Sequence, residues 1–204
     1  MILSEQIAAD LLRIKAVFLR PSEPFTWASG IKSPIYCDNR LTLSDVAVRE
    51  DIESGLAELI RLYYPQAEVL MGTSTAGIAH AAITATKMNL PMGYVRSEAK
   101  AHGRQNRIEG KLLPGQKVVV VEDLISTAGS CLEVVEVLRE AGAEVLGIVS
   151  IFSYGIQKGS DRIAAANTEN HSLSNLDVLA GVAVKQGYIT EAEKAALIQF
   201  RDSL

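Results

Sequence analysis

Apolar residues recur at helical spacing near the start of the chain. Ile7, Leu11 and Ile14 predict a helix running from Ser4, read as its N-cap, to about Phe18, with Pro21 and Pro24 ending the pattern. A polar, turn-rich stretch follows from Phe25 to Tyr36. Val48, Ile52, Leu56 and Leu59 then form the buried stripe of a long helix that Ser44 caps and that must stop before Pro65. From there the pattern alternates. Val69-Leu70-Met71 predicts a short buried strand, Gly72 to Gly77 a loop, Ile78 to Met88 an alanine-rich helix, and Met92 to Val95 a second strand. Val118 to Val121 gives the clearest strand, four β-branched residues after a Pro114-Gly115 turn. Cys131 to Glu140 predicts a helix with Val134, Val135 and Leu138 inward and Gly142 just past its end. Val145 to Phe152 is another apolar strand, and Thr190-Glu191-Ala192-Glu193 matches a capping box that opens a last helix. Strands that are apolar throughout and alternate with helices predict an α/β fold, a central and mostly parallel sheet flanked by helices.

Composition narrows the class. Of 204 residues, 48% are hydrophobic and 22% charged, which excludes a disordered chain. No run of about 18 apolar residues is present, so no membrane-spanning helix is expected. The N-terminus lacks a basic segment before an apolar core, so a secretory signal is not expected and a cytoplasmic protein is. A net charge of −4 counts against a nucleic-acid partner. Cys37 and Cys131 stand far apart, with no histidine near either, and read as reduced thiols rather than a zinc site.

One segment departs from that balance. Arg96 to Lys111 holds five basic and two acidic residues, net +3 inside an acidic chain, and only Ala99, Ala101 and Ile108 are apolar. A loop of that length within a compact domain is functional or disordered.

The chemistry concentrates after the four-valine strand. Glu122-Asp123 follows it directly, then Leu124-Ile125, then Ser126-Thr127-Ala128-Gly129-Ser130, then a helix. In open α/β sheets, ligands sit beyond the carboxyl ends of strands. Small residues let backbone N–H groups converge, the hydroxyls of Ser126, Thr127 and Ser130 add donors, and the helix start adds unpaired amides and partial positive charge; together these form a phosphate cradle. The acidic pair would repel a phosphate. It suits the vicinal hydroxyls of a ribose, or Mg²⁺. A cradle one sugar length from two acids describes a ribose 5-phosphate site. The chain lacks the P-loop pattern and lacks a GxGxxG opening a helix, which disfavours nucleotidase and dinucleotide sites.

The stretch Val119 to Ser130 closely resembles the phosphoribosyl diphosphate (PRPP) signature of type I phosphoribosyltransferases. Phe25 to Pro34, Gly72 to Ile78 and Arg96 to Gly103 make the chain, over nearly its full length, similar to the orotate phosphoribosyltransferase family. That resemblance implies one domain over residues 1–204, with an N-terminal hood contributed by 1–40 and a mobile catalytic loop at 96–111. It implies transfer of the phosphoribosyl group from PRPP to orotate with Mg²⁺ carried mainly by PRPP. It also implies a homodimer whose loop acts on the neighbouring subunit. On the family pattern, Lys100, His102 and Asp123 are catalytic, and the Gly72–Gly77 loop faces the pyrophosphate. PRPP is held by Arg96, Lys100, His102, Glu122, Asp123, Leu124, Ile125, Ser126, Thr127, Ala128, Gly129 and Ser130; Ser126 and Thr127 also touch orotate.

Lys100 would stabilise charge on the departing diphosphate, and His102 would protonate the leaving oxygen. The chain departs from the family where Ser97 follows Arg96, near Ala28 and near Ala76, where relatives often carry a lysine, and near Ser153-Tyr154, where some relatives carry an orotate-clamping arginine. Lys32 and Arg40 are candidates for the missing charge. Two alternatives stay open: a phosphoribosyltransferase for another nucleobase, and a non-catalytic PRPP-binding regulator.

Overall fold

The computed structural model describes residues 2–21, 24–26, 32–97 and 107–204. Helix α1 (Leu3–Arg13) leads into four short strands, β1 (Val17–Leu19), β2 (Phe25–Thr26), β3 (Lys32–Ser33) and β4 (Ile35–Cys37), and a 3-10 turn over Asn39–Ser44. The strands pair antiparallel as β1 with β4 and β2 with β3. Then come α2 (Val46–Tyr63), β5 (Val69–Thr73), α3 (Ala76–Met88), β6 (Met92–Val95), β7 (Ile108–Glu109), β8 (Lys117–Ile125), α4 (Gly129–Glu140), β9 (Glu144–Ser153), α5 (Gln157–Ala165), β10 (Asn170–Asn175), α6 (Leu176–Lys185) and α7 (Glu191–Asp202).

The main sheet has six strands in the order β10-β9-β8-β5-β6-β7, all parallel except β7, which runs antiparallel to β6. Two apolar clusters cover its faces. Alternate residues of β8 divide between them: Val119 and Val121 join α1, α2, α3 and α6, while Val118 and Val120 join α4 and Ile163 of α5. This is the expected α/β architecture, and it rests on the strand pattern seen in the sequence.

Some boundaries move, for local reasons. Helix α1 ends at Arg13 rather than near Phe18, because Lys15 takes a left-handed conformation (φ 57°) and Ala16 N–H closes back on the Leu11 carbonyl. Val17 onward is therefore strand. The caps also move: extended Ile2 precedes α1 in place of Ser4, and Asp45, not Ser44, caps α2 by accepting from the amides of Ala47 and Val48. The capping box at Thr190 and Glu193 is present as expected.

β10 and α5 had no apolar signature. β10 is an edge strand of sequence NHSLSN, held partly by Ser150, Asn170 and Ser172 hydrogen-bonded to one another. Only Gly159 and Ile163 of α5 are buried. Helices α2 and α3 are tied by a buried polar cluster. Glu53, with no exposed surface, meets His80 Nδ1 at 2.6 Å through one oxygen and accepts from the Thr84 hydroxyl at 2.7 Å through the other.

Candidate active site

β5 and β8 lie side by side, yet α3 packs on one face of the sheet and α4 on the other. The two connections leave in opposite directions, and the crevice between them is where this architecture binds ligands.

β8 does not end after its valines. Ladder pairing continues through Leu124 with Phe152 and Ile125 with Ser153, so Glu122 and Asp123 sit within the strand and the chain turns only at 126–128. Ala128 is left-handed (φ 59°, ψ 15°), a conformation that costs a residue with a Cβ about 1–2 kcal/mol. The Ala128 carbonyl accepts from Leu132 N–H at 3.2 Å and from the Cys131 thiol at 3.3 Å, which helps hold it.

The two acids differ in setting. Glu122 is 4% exposed. Its Oε1 accepts from the Thr73 hydroxyl at 2.6 Å and from the Asp123 N–H at 2.9 Å, and the Ser130 hydroxyl lies 3.4 Å from Oε2. Burial, and then the adjoining Asp123 carboxyl, push its pKa from an ordinary 4.5 up to about 8, so it holds a proton at neutral pH. Asp123 stays partly exposed.

Asn39 holds the backbone of Asp123. It is fully buried, donates to the Asp123 carbonyl at 2.7 Å and accepts from the Cys37 thiol at 3.2 Å. Burial, and then the charges of Asp123 and Asp38, push the Cys37 thiol well up, so it stays a thiol, as does Cys131.

The Gly72–Gly77 segment is shorter than a six-residue loop. Gly72 and Thr73 belong to β5 and Ala76 and Gly77 to α3, leaving Ser74 and Thr75, joined by a cis peptide, as the turn. Close packing explains the glycines. A Cβ on Gly77 would overlap the Val121 carbonyl oxygen and lie 2.5 Å from Thr73 Oγ1; one on Gly72 would lie 2.9 Å from the Gly77 carbonyl oxygen. The β5–α3 turn is thus pressed onto β8, and Thr73 bridges to Glu122.

The basic segment is partly strand. Arg96 N–H donates to the Arg107 carbonyl, and Ile108 and Glu109 pair with β6. Arg96 lies 3.6 Å from Glu109, and Arg107 pairs with Glu133 at 2.7 Å. Lys100 and His102 fall outside the described residues. Of the two cations considered for the missing charge, Lys32 is exposed on β3, and Arg40 is already held by a two-pronged pair with Asp38 at 2.6 and 2.7 Å.

The structure therefore gathers Glu122 to Ser130 and the Thr73–Gly77 turn at one edge. Several contributors carried no signal in the sequence. Asn39 is 84 residues from Asp123. Gly159 and Arg162 of α5 press on the turn at Ser126 and Thr127. Thr73 was visible only as part of the glycine-flanked stretch.

An acidic pair feeding a strained, hydroxyl-rich turn at a sheet switch point marks the chain as a phosphoribosyltransferase, and a family model described as the phosphoribosyl transferase domain matches residues 46–184. Within that class the chain belongs to the orotate phosphoribosyltransferase family. It is 59% identical over 199 residues to an orotate phosphoribosyltransferase of Bacillus cytotoxicus and 58% identical to one of Bacillus cereus; each match covers 98% of this chain and 95% of the relative. Among solved structures, the orotate phosphoribosyltransferase of Aeropyrum pernix is 28% identical with a TM-score of 0.77, covering 90% of this chain and 99% of that one. UMP synthase of Leishmania donovani is 27% identical with a TM-score of 0.85; the match covers 98% of this chain and 42% of that longer one.

Proposed function

We propose that this chain transfers the 5-phosphoribosyl group of PRPP to orotate, yielding orotidine 5′-monophosphate and pyrophosphate, a step of pyrimidine nucleotide synthesis. The supporting observation is the continuity of β8 with the 126–130 turn. It places a partly exposed carboxylate, Asp123, beside unpaired amides at the start of α4. Asp123 takes the ribose hydroxyls, the turn takes the 5′-phosphate, and the Thr73–Gly77 turn faces the diphosphate. Glu122, buried and hydrogen-bonded by Thr73, buttresses Asp123 and leaves its second oxygen toward Ser130. Ser126 and Thr127 meet the orotate ring.

In the reaction, the bond from the anomeric carbon to the diphosphate oxygen breaks, a ring nitrogen of orotate bonds to that carbon, and the nitrogen's proton leaves. Positive charge builds at the carbon and negative charge on the diphosphate, so fixed dipoles and cations at the leaving group lower the barrier. The resemblance assigns that work to Lys100, with His102 donating the proton and Arg96 adding charge. Among the described residues, no group of three or more His, Cys, Asp or Glu is placed to hold a metal ion. On the family pattern, Mg²⁺ would arrive on the diphosphate and neutralise charge there. A cytoplasmic homodimer, with the 96–111 segment reaching the neighbouring site, completes the proposal. No helix among the described residues is long and apolar enough to cross a membrane.

The test offers orotate, uracil, adenine and hypoxanthine separately with PRPP and Mg²⁺ and follows base consumption spectroscopically. Orotate alone should be consumed, with equimolar pyrophosphate released. Consumption of a purine instead, or PRPP binding without pyrophosphate release, would overturn the assignment.

A further inference from the structure

The 126–130 turn is backed by α5. The Gly159 backbone lies against the Ser126 carbonyl so closely that a Cβ there would overlap the oxygen and reach within 3.5 Å of the Thr127 Cα. One turn of helix later, Arg162 Nη1 donates to the Thr127 carbonyl at 3.0 Å. A side chain built on Gly129 would come within 3.6 Å of the same nitrogen. Arg162 makes no ion pair among the described residues, and Glu133, which lines the same groove between α4 and α5, is taken by Arg107.

Peptide geometry turns these contacts into a statement about the cradle. In a trans peptide the C=O and the N–H of the next residue point in opposite directions. Holding the Ser126 and Thr127 carbonyls against α5 therefore turns the amides of Thr127 and Ala128 away from α5. Among the described residues neither amide makes a hydrogen bond. Successive N–H groups aimed one way form an anion-binding concavity.

We propose that Arg162 is a positioning residue for the 5′-phosphate of PRPP. Its Nη1 pins the Thr127–Ala128 peptide with the amide facing the phosphate, and its charge sits directly behind the turn. This rests on the functional assignment above and adds a residue that lies outside the signature stretch. The 5′-phosphate stays bound from substrate through transition state to product, so its loss should appear in affinity rather than in turnover.

Steady-state kinetics of the full-length enzyme test this. Arg162→Ala should raise the KM for PRPP by about 10- to 100-fold, the range for a hydrogen bond involving a charged group, with kcat within about twofold and the KM for orotate unchanged. Inhibition by ribose 5-phosphate, which carries the 5′-phosphate, should weaken by the same factor. Inhibition by pyrophosphate, which does not, should stay as it was. An unchanged KM for PRPP, or equal weakening of both inhibitors, overturns the proposal. Should Arg162→Ala fail to fold, Arg162→Lys, which keeps the charge and loses the planar guanidinium, should show the same selective loss at smaller size; no selectivity there overturns it equally. A wild-type enzyme inactive on orotate would refute the functional assignment instead, and calorimetric titration with ribose 5-phosphate would still decide the role of Arg162.

Discussion

Replacing Glu122 by glutamine removes one proton-binding site from the interior. The carboxyl is 4% exposed and its pKa is pushed from 4.5 to about 8, by burial first and by Asp123 second. The folded protein therefore holds a proton that the unfolded chain releases between those two values. Where the folded state binds more protons, stability falls as pH rises, so the penalty is absent below about pH 4.5 and grows until about pH 8. A tenfold difference in proton affinity between folded and unfolded chains is worth about 1.4 kcal/mol, so the buried Glu122, coupled to Asp123, costs several kcal/mol at the alkaline end. Glutamine is close in shape to the protonated acid, and its Oε1 can still accept from the Thr73 hydroxyl and the Asp123 amide. The acids whose pKa values are lowered, Glu5, Asp38, Asp45 and Glu193, titrate below this window in both proteins and cancel in the comparison. Urea unfolding of the ligand-free wild type and Glu122→Gln at pH 5, 6, 7 and 8 should show the variant gaining on the wild type at each step. Parallel stability curves would mean that Glu122 titrates as an ordinary acid and would refute the reasoning.

Other outcomes follow from the same geometry. Glu53→Ala, which takes a buried hydrogen-bond partner from both His80 and Thr84, should cost about 1–3 kcal/mol for each group left unpaired, read by urea unfolding. Asn39→Ala should cost about 1–3 kcal/mol, and Asn39→Asp should cost more, because it sets an acceptor against the Asp123 carbonyl; denaturant midpoints read both. Gly77→Ala should overpack the β5–α3 turn by about 1–3 kcal/mol and raise the KM for PRPP as Thr73 is displaced, which melting and kinetics together measure. Lys100→Ala, on the family pattern, should lower kcat about 10²–10³-fold with little change in PRPP affinity. Dimers mixing Lys100→Ala and Asp123→Ala chains should regain part of the activity, and mixtures as inactive as their parents would argue against action across subunits.

The parallel core was legible because its strands are apolar on both faces. Val69–Met71, Val118–Val121 and Val145–Phe152 admit no other placement than between two helical layers. The phosphate turn was legible because it is local: strand, acids, hydroxyls and helix follow one another in the chain. What the pattern could not carry is whatever depends on distant pairing. β10 is polar because it lies at an edge: Asn170 and Ser172 bond to each other and to Ser150 of β9, and Ser174 donates to the Ser4 carbonyl. α5 buries little, so no stripe announced it, yet it backs the turn. Asn39 reaches Asp123 only because the chain folds the 3-10 turn over the end of β8. The unequal fates of Glu122 and Asp123 arise in the same way. Adjacent residues in a strand point to opposite sides, and only one of them meets Thr73.

The central claim is that the 126–130 turn and Asp123 together hold PRPP. Calorimetric titration of PRPP with Mg²⁺ into the wild type and into Asp123→Ala measures it directly. The wild type should give saturable binding, and the variant should bind far more weakly while unfolding at a similar temperature. Equal heats and affinities in the two proteins, or no binding to the wild type at millimolar PRPP, would contradict it.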